Sequence, residues 1–384
     1  MQGNAESSGF VPGLELSSIF YEEGVRPILE RHFPDLLCGA GRVDYGSEVL
    51  GFDTPRSMDH DWGPRLTLFL PEARHSQFLA AEISRVLGEE LPFEIRGVST
   101  HFARAAGGSS LLSVTDERPI NHGVAVTTLR AACQGWLGID LDADGEPALR
   151  LEEWLTMPEQ ELRAFTSGAV FRDDTGELAR VRKKLRCYPL DVWLYLLAAG
   201  WRRIEQEEPF MGRCGQVGDD LGSHLVAARL VHEVMHLCFL MERQYAPYSK
   251  WFGTAFARLA CAPDLSPPLQ ATLAASTWQD RERHLSTAYA ALAEMHNALG
   301  LTPPIEPHVS PFHDRPFQVI HGDRFWQALR AVVVDTEVQR LMADPHAIIG
   351  STTQWADSTD VRARRWDAPL QALYGSVLDG PQPA

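Results

Sequence analysis

Gly46-Ser47 is followed, after eleven intervening residues, by Asp59-His60-Asp61. Two aspartates at i and i+2 on an extended chain point to one face, where their oxygens can hold one or two Mg2+ or Mn2+ ions. A glycine lets backbone N–H groups close on phosphate oxygens, and the Ser47 hydroxyl adds a further donor. One short stretch therefore serves a divalent cation and a phosphate chain together. That pairing is what nucleotidyl transfer from a nucleoside triphosphate needs, because the reaction depends on metal clamping and in-line positioning more than on covalent help from protein. A third carboxylate commonly stands on a neighbouring strand, close to the attacking hydroxyl or acting as its base. Glu94 is the candidate, with Asp116, Glu117 and Asp140 as weaker rivals.

Elements that could carry these residues follow from periodicity. Residues 17–33 read as an amphipathic helix, with Gly24 and Pro27 able to kink it. Residues 36–47 read as a strand and turn, and Leu66, Leu68 and Leu70 alternate as a second strand should. A helix over 75–87, a strand over 93–98 that carries Glu94, a Gly/Ala/Ser loop over 105–110 and a strand at 124–128 come next. A helix containing Trp136 closes this part. The pattern predicts an α+β fold: a small mixed sheet covered by helices on one side, over residues 1–150, then a mostly helical domain over 151–379. Residues 151–166, 188–207, 219–245, 268–299 and 324–342 have helical period, and 380–384 read as a disordered tail.

Composition narrows the classes. With 384 residues the chain can build two cores without staples. Six cysteines are scattered with no Cys-x-x-Cys pair, which argues against a disulfide framework and a zinc ribbon and for a reducing cytoplasm. There is no basic, then apolar N-terminal segment and no run of about 18 apolar residues, so neither export nor a membrane partner is expected. A net charge of -16 weighs against long nucleic acid, whose binding relies on Lys and Arg at phosphates. Walker A, dinucleotide and Gly-x-Ser-x-Gly motifs are missing from the sequence.

The N-terminal third resembles the DNA polymerase beta-type nucleotidyltransferase superfamily. More narrowly, Asp53-Thr-Pro-Arg56-Ser-Met-Asp59-His-Asp61-Trp-Gly-Pro-Arg65, Trp201-Arg-Arg-Ile-Glu-Gln-Glu-Glu-Pro-Phe210 and Tyr245-Ala-Pro-Tyr-Ser-Lys-Trp251 resemble an uncharacterised bacterial family of nucleotidyltransferase-like proteins. The resemblance implies a metal-dependent transfer of a nucleoside monophosphate from a nucleoside triphosphate to an acceptor, with release of pyrophosphate. It places Gly46 and Ser47 at the nucleotide and Asp59 and Asp61 at the metal. Arg56 joins the nucleotide-binding set, and so do Arg243, Tyr248 and Lys250, since related enzymes lay a basic residue of the helical domain over the triphosphate tail. The resemblance does not give the acceptor; by analogy of architecture the leading class is a small molecule, such as an aminoglycoside-like antibiotic, and the second a protein side chain or an RNA end. One departure stands out: Trp62-Gly63-Pro64 interrupts the apolar strand that should follow Asp-x-Asp, so the strand should start late or bulge. The corresponding alternative is an inactive, nucleotide-binding regulatory protein.

A second motif points elsewhere. His232-Glu233-Val-Met-His236 fits His-Glu-x-x-His, in which two histidines of one helical face bind zinc and the glutamate activates water. Arg229 stands where zinc proteases prefer a small β-branched residue, and packing of an apolar helix is the simpler reading. Arg202 and Arg203, near Glu205, Glu207 and Glu208, read as helix-end salt bridges, and His308, His313 and His321 as packing in a turn-rich segment.

Overall fold

Phe20, Tyr21, Val25, Ile28 and Leu29 bury one stripe of a helical run that starts earlier than periodicity suggests. It comprises α1 (Gly13–Ile19), a wider π turn (Phe20–Val25) and α2 (Arg26–His32). In the computed structural model the described residues are 10–104, 109–356, 358, 361 and 367–378. The side chains of Asp59, Asp367 and Ala368, most of the loop expected at 105–110 and the tail expected at 380–384 lie outside them.

The strands that follow are β1 (Gly39–Arg42), β2 (Arg65–Leu70), β3 (Glu94–Ile95), β4 (Val98–Ser99), β5 (Phe102–Arg104), β6 (Ser110–Leu112), β7 (Gly123–Thr128) and β8 (Ala169–Asp173). Four of them form a mixed sheet in the order β7-β2-β1-β8. β2 runs parallel to β7, and β1 runs antiparallel to both β2 and β8. The expected α+β class, a small mixed sheet ahead of a mostly helical region, is what the chain adopts. Leu66, Leu68 and Leu70 join the helical stripe and Ile83, Val86 and Leu87 of α3 (Gln77–Glu90) in one core. Covering on one side only was too simple. Thr67 and Phe69 are buried as well, and Phe69 meets the edge of Trp136, which in turn meets Phe165.

Two sequence expectations fail locally. The strand over 93–98 is instead a separate two-stranded hairpin, β3 with β4, because Arg96 and Gly97 both take left-handed backbone at its turn. β8, which completes the sheet, lies beyond residue 150 and was not anticipated. The polypeptide accordingly divides into two compact units, residues 1–148 with 161–186, and residues 149–160 with 187–384.

Between β7 and the long helices run α4 (Leu129–Ala132), α5 (Leu151–Thr156), α6 (Glu159–Thr166) and α7 (Glu177–Lys184). The second unit is built on α8 (Leu190–Gln216) and α9 (Asp220–Met241), joined by a short turn at Gly218 and packed against each other. α9 is long and apolar enough to span a membrane by length and composition, contrary to expectation, yet 67% of its apolar window is buried within the fold. α10 (Ser249–Phe256), α11 (Ala262–Ala274), α12 (Trp278–Ala298) and α13 (Asp323–Val332) follow, α12 packing on α9 and α13 on α8. Arg202 and Arg203 sit mid-helix in α8 rather than at its end, Arg202 pairing with Glu205 and Arg203 facing Glu233 at 4.0 Å. Trp201 stacks on Phe325 at 3.9 Å and donates its indole N–H to His296 Nδ1 at 3.2 Å.

An indole can only donate, so His296 Nδ1 is an acceptor, and Nε2 carries the hydrogen facing Thr302 Oγ1 at 3.1 Å. The imidazole is therefore neutral, and burial pushes its pKa down to about 4. An unfolded histidine takes up its proton near pH 6.5, so the unfolded state gains protons first as pH falls and stability drops between pH 6.5 and 4. We expect His296→Gln to remove about 3 kcal/mol of the stability lost between pH 7 and pH 4. Denaturant melts at both pH values check this; equal pH slopes for variant and parent would refute it.

Candidate functional site

Residues 43–64 connect β1 to β2, the two adjacent, antiparallel central strands, so both ends of this long loop leave the sheet at the same end of its strands. A connection of such length inside a compact unit is commonly functional. Its root is Arg42, the last residue of β1, whose side chain is only 2% exposed. The guanidinium pairs with Asp44, donates to the Tyr45 carbonyl at 2.9 Å and reaches Glu48 Oε1 at 2.6 Å. Burial opposes its charge, but Asp44 and Glu48 more than offset this and raise its pKa. Gly46 lies inside the clamp with φ +133°, and a Cβ there would stand 2.5 Å from the Glu48 carboxylate. Only glycine fits. Ser47 follows, half-buried, its carbonyl accepting from Phe52 N at 2.8 Å.

Further along, Asp53 Oδ2 accepts from the Gly13 N–H at 2.7 Å and from the Trp62 indole at 3.3 Å, tying the middle of the loop to α1 and to its own far end. Pro55 and a reciprocal Thr54–Ser57 cap then wind Pro55–Asp59 into a 3-10 turn. The two aspartates consequently do not share an extended strand, as their spacing suggested. Asp59 ends the 3-10 turn, its side chain outside the described residues, and Asp61 occupies a left-handed bend at φ +52°. β2 starts late, at Arg65, as Gly63-Pro64 implied. Gly63 has φ +140°, and a Cβ on it would run into Leu112 and Phe102.

Asp61 is held from several sides. Its N–H donates to the Ser110 carbonyl at 2.8 Å, and its Oδ1 accepts from Ser110 N at 3.0 Å. Arg65 donates to the Asp61 carbonyl at 2.9 Å and lies 3.5 Å from Oδ1, while His60 Nδ1 is 3.5 Å from Oδ2. The carboxylate is 31% exposed, and one N–H leaves lone pairs on its hard oxygens for a cation such as Mg2+. Tyr45 stands over the same region, its hydroxyl accepting from Arg65 at 3.3 Å and its ring within 6 Å of both the Arg42 and Arg65 guanidiniums. Sequence reasoning missed Arg42, Tyr45 and Glu48 and quoted Asp53 and Arg65 only as part of a resemblance. The signal for the clamp was the cluster of opposite charges at 42, 44 and 48 around a glycine.

A family model described as a domain of unknown function, DUF4037, matches residues 154–252. A solved structure, a nucleotidyltransferase-like protein from Exiguobacterium sibiricum 255-15, is similar over 73% of this chain and 77% of that chain, with 13% identity and a TM-score of 0.31. A likeness at that score carries no conclusion about function. No curated protein matches the chain. The stretch matched by the domain model includes Glu159, the His-Glu-x-x-His segment, Arg243, Tyr248 and Lys250.

Apart from Arg56, the remaining expected site residues fall elsewhere than on this loop. Arg56 is on it but exposed, with its backbone N–H on Thr54. Glu94 is exposed in the β3–β4 hairpin and is not on either neighbour of β2, which are β1 and β7. Arg243, Tyr248 and Lys250 belong to the helical unit. Arg243, left-handed at φ 57°, lies over the Trp193 ring at 4.1 Å and donates to the Tyr188 carbonyl and Cys187 Sγ. Tyr248 caps α10, and exposed Lys250 lies over Trp251. In the His-Glu-x-x-His segment the rings of His232 and His236 are nearly parallel, 6.4 Å apart. His232 stacks on Phe252 at 4.8 Å, and buried His236 faces fully buried Glu159 at 3.2 Å. Glu159 Oε2 also accepts from the Ala246 N–H, so the pair fastens the start of α6 to α9 and the chain beyond it. Two imidazoles committed to a ring stack and to a buried carboxylate serve packing.

Removing one partner of a buried charge cluster leaves the other uncompensated, at a cost of about 3–5 kcal/mol. Arg42→Met is expected to lose that much in chemical denaturation, and adding Glu48→Gln should restore part of it. An Arg42→Met protein of parental stability would show that Asp44 and Glu48 do not depend on the guanidinium.

Proposed function

We propose that the chain is a metal-dependent nucleotidyltransferase that moves a nucleoside monophosphate from a nucleoside triphosphate to an acceptor hydroxyl on a small molecule or a protein. The observation that carries this reading is the pinned loop between β1 and β2. It presents a Gly46-Ser47 turn with no room for a side chain at Gly46 and, at its other end, a partly exposed Asp61 carboxylate with three contacts, to the Ser110 N–H and to the Arg65 and His60 side chains, while its backbone is held by Ser110 and Arg65. Asp59 and Asp61 are the hard oxygen donors that Mg2+ or Mn2+ takes, and the cation would offset charge on the phosphate chain. Gly46 and Ser47 would let backbone N–H groups and one hydroxyl approach phosphate oxygens. In the transfer the acceptor oxygen bonds to the α-phosphorus, its proton passes to water, and the bond from the α-phosphorus to the oxygen bridging the β-phosphate breaks with release of pyrophosphate.

One observation favours a second reading, a nucleotide-binding protein without turnover: Asp61 stands in a left-handed bend ahead of a late-starting β2, not on the strand. Turnover separates the two. Pyrophosphate release is measured with ATP, GTP, CTP and UTP, with Mg2+ or Mn2+ and candidate amino-hydroxyl acceptors. Replacing Asp59 and Asp61 together with Asn should lower it at least a hundredfold, in keeping with the loss of metal positioning. Full activity in that variant would sink the transferase reading, and nucleotide binding without pyrophosphate would favour the second.

A further inference from the structure

Asp61 is a non-glycine residue in a sparsely populated backbone region, a state that persists only when its surroundings over-determine it. Ser110 supplies two of the constraints, Arg65 two more, and His60 lies 3.5 Å from the other carboxylate oxygen. Arg65 is itself fixed. It is the first residue of β2, its side chain is 18% exposed, and its Cζ lies 5.8 Å from the Tyr45 ring and 5.6 Å from the Phe102 ring. One planar fork thus spans the Asp61 carbonyl and the Tyr45 hydroxyl and lies beside the Asp61 carboxylate.

We propose that Arg65 is a positioning residue for metal binding: it holds Asp61 in the left-handed conformation that aims its carboxylate at a divalent cation. The proposal rests on the reading of Asp61 as a metal ligand and deepens it. Its sign is opposite to simple electrostatics. A guanidinium 3.5 Å from the carboxylate repels an incoming cation, so charge alone would make the metal bind more tightly once Arg65 is removed. If positioning dominates, removal weakens binding. A residue that merely glues the loop would change the melting temperature and leave the affinity of the folded protein unaltered.

The test is a Mn2+ titration of the full chain, followed by electron paramagnetic resonance, on the parent, Arg65→Met, Arg65→Lys and Asp61→Asn, each with native circular dichroism. Parent protein should bind Mn2+, and Asp61→Asn should lose that site. Arg65→Met should bind about tenfold more weakly, the scale of one hydrogen bond involving a charged group. Arg65→Lys should do no better, because a point charge cannot replace the fork. Unchanged or tighter binding by Arg65→Met overturns the proposal while Asp61 stands as a ligand. A parent chain that takes up no Mn2+ overturns both the proposal and the metal reading. Should Arg65→Met fail to fold, Arg65→Lys decides alone: weakened binding supports positioning, and parental binding refutes it.

Discussion

Arg42 carries a full positive charge at a place where water barely reaches, and such a charge persists only because Asp44, Glu48 and the Tyr45 carbonyl surround it. All four residues lie within residues 42–48, at and just beyond the end of a strand. The local backbone is thereby fixed before any longer-range contact is counted, including the path through Gly46. Everything distal in the loop inherits that starting direction. Asp53, reaching α1 and Trp62, then fixes where the loop returns, and Ser110 and Arg65 fix where Asp61 ends up. The site is therefore positioned less by regular secondary structure than by a chain of ionic and hydrogen-bond fasteners strung between two strands.

Much of the scaffold was legible in the residues. Leucines alternating at 66, 68 and 70, a helical stretch over 75–87 and a strand ending in a glycine-serine turn over 36–47 signal local events, and each formed near its expected place. The failures have a common origin in contacts distant in sequence. β8 has five half-buried residues with no alternation and forms because β1 offers an open edge. Residues 93–98 have strand composition, yet a left-handed pair at Arg96-Gly97 folds them onto themselves. Asp-x-Asp reads as one face of a strand only if the chain is extended, and Pro55 with the Thr54–Ser57 cap makes it turn instead.

Burial of charge was the least readable property. A sequence presents Arg42, Glu48, Glu159 and Glu208 as ordinary surface residues, and each is inside. Glu208 accepts three successive N–H groups from Ile320, His321 and Gly322, and burial still pushes its pKa up to about 7. In the helical unit such carboxylates replace loops' missing backbone partners. Paired histidines in α9 imitate a zinc signature for a similar reason, since helical spacing puts i and i+4 side by side whether the neighbour is a metal, an aromatic ring or a carboxylate.

The sheet order β7-β2-β1-β8 also has a bearing on how the chain is made. Its fourth strand is encoded after residues 149–160, which are part of the other unit. While the ribosome is still short of residue 173, β1 has one partner and an open row of N–H and C=O groups along its other side. A nascent chain or a fragment truncated near residue 150 therefore displays an adhesive strand edge, which invites pairing with a second copy. The N-terminal unit is complete only once translation has passed through a piece of its neighbour.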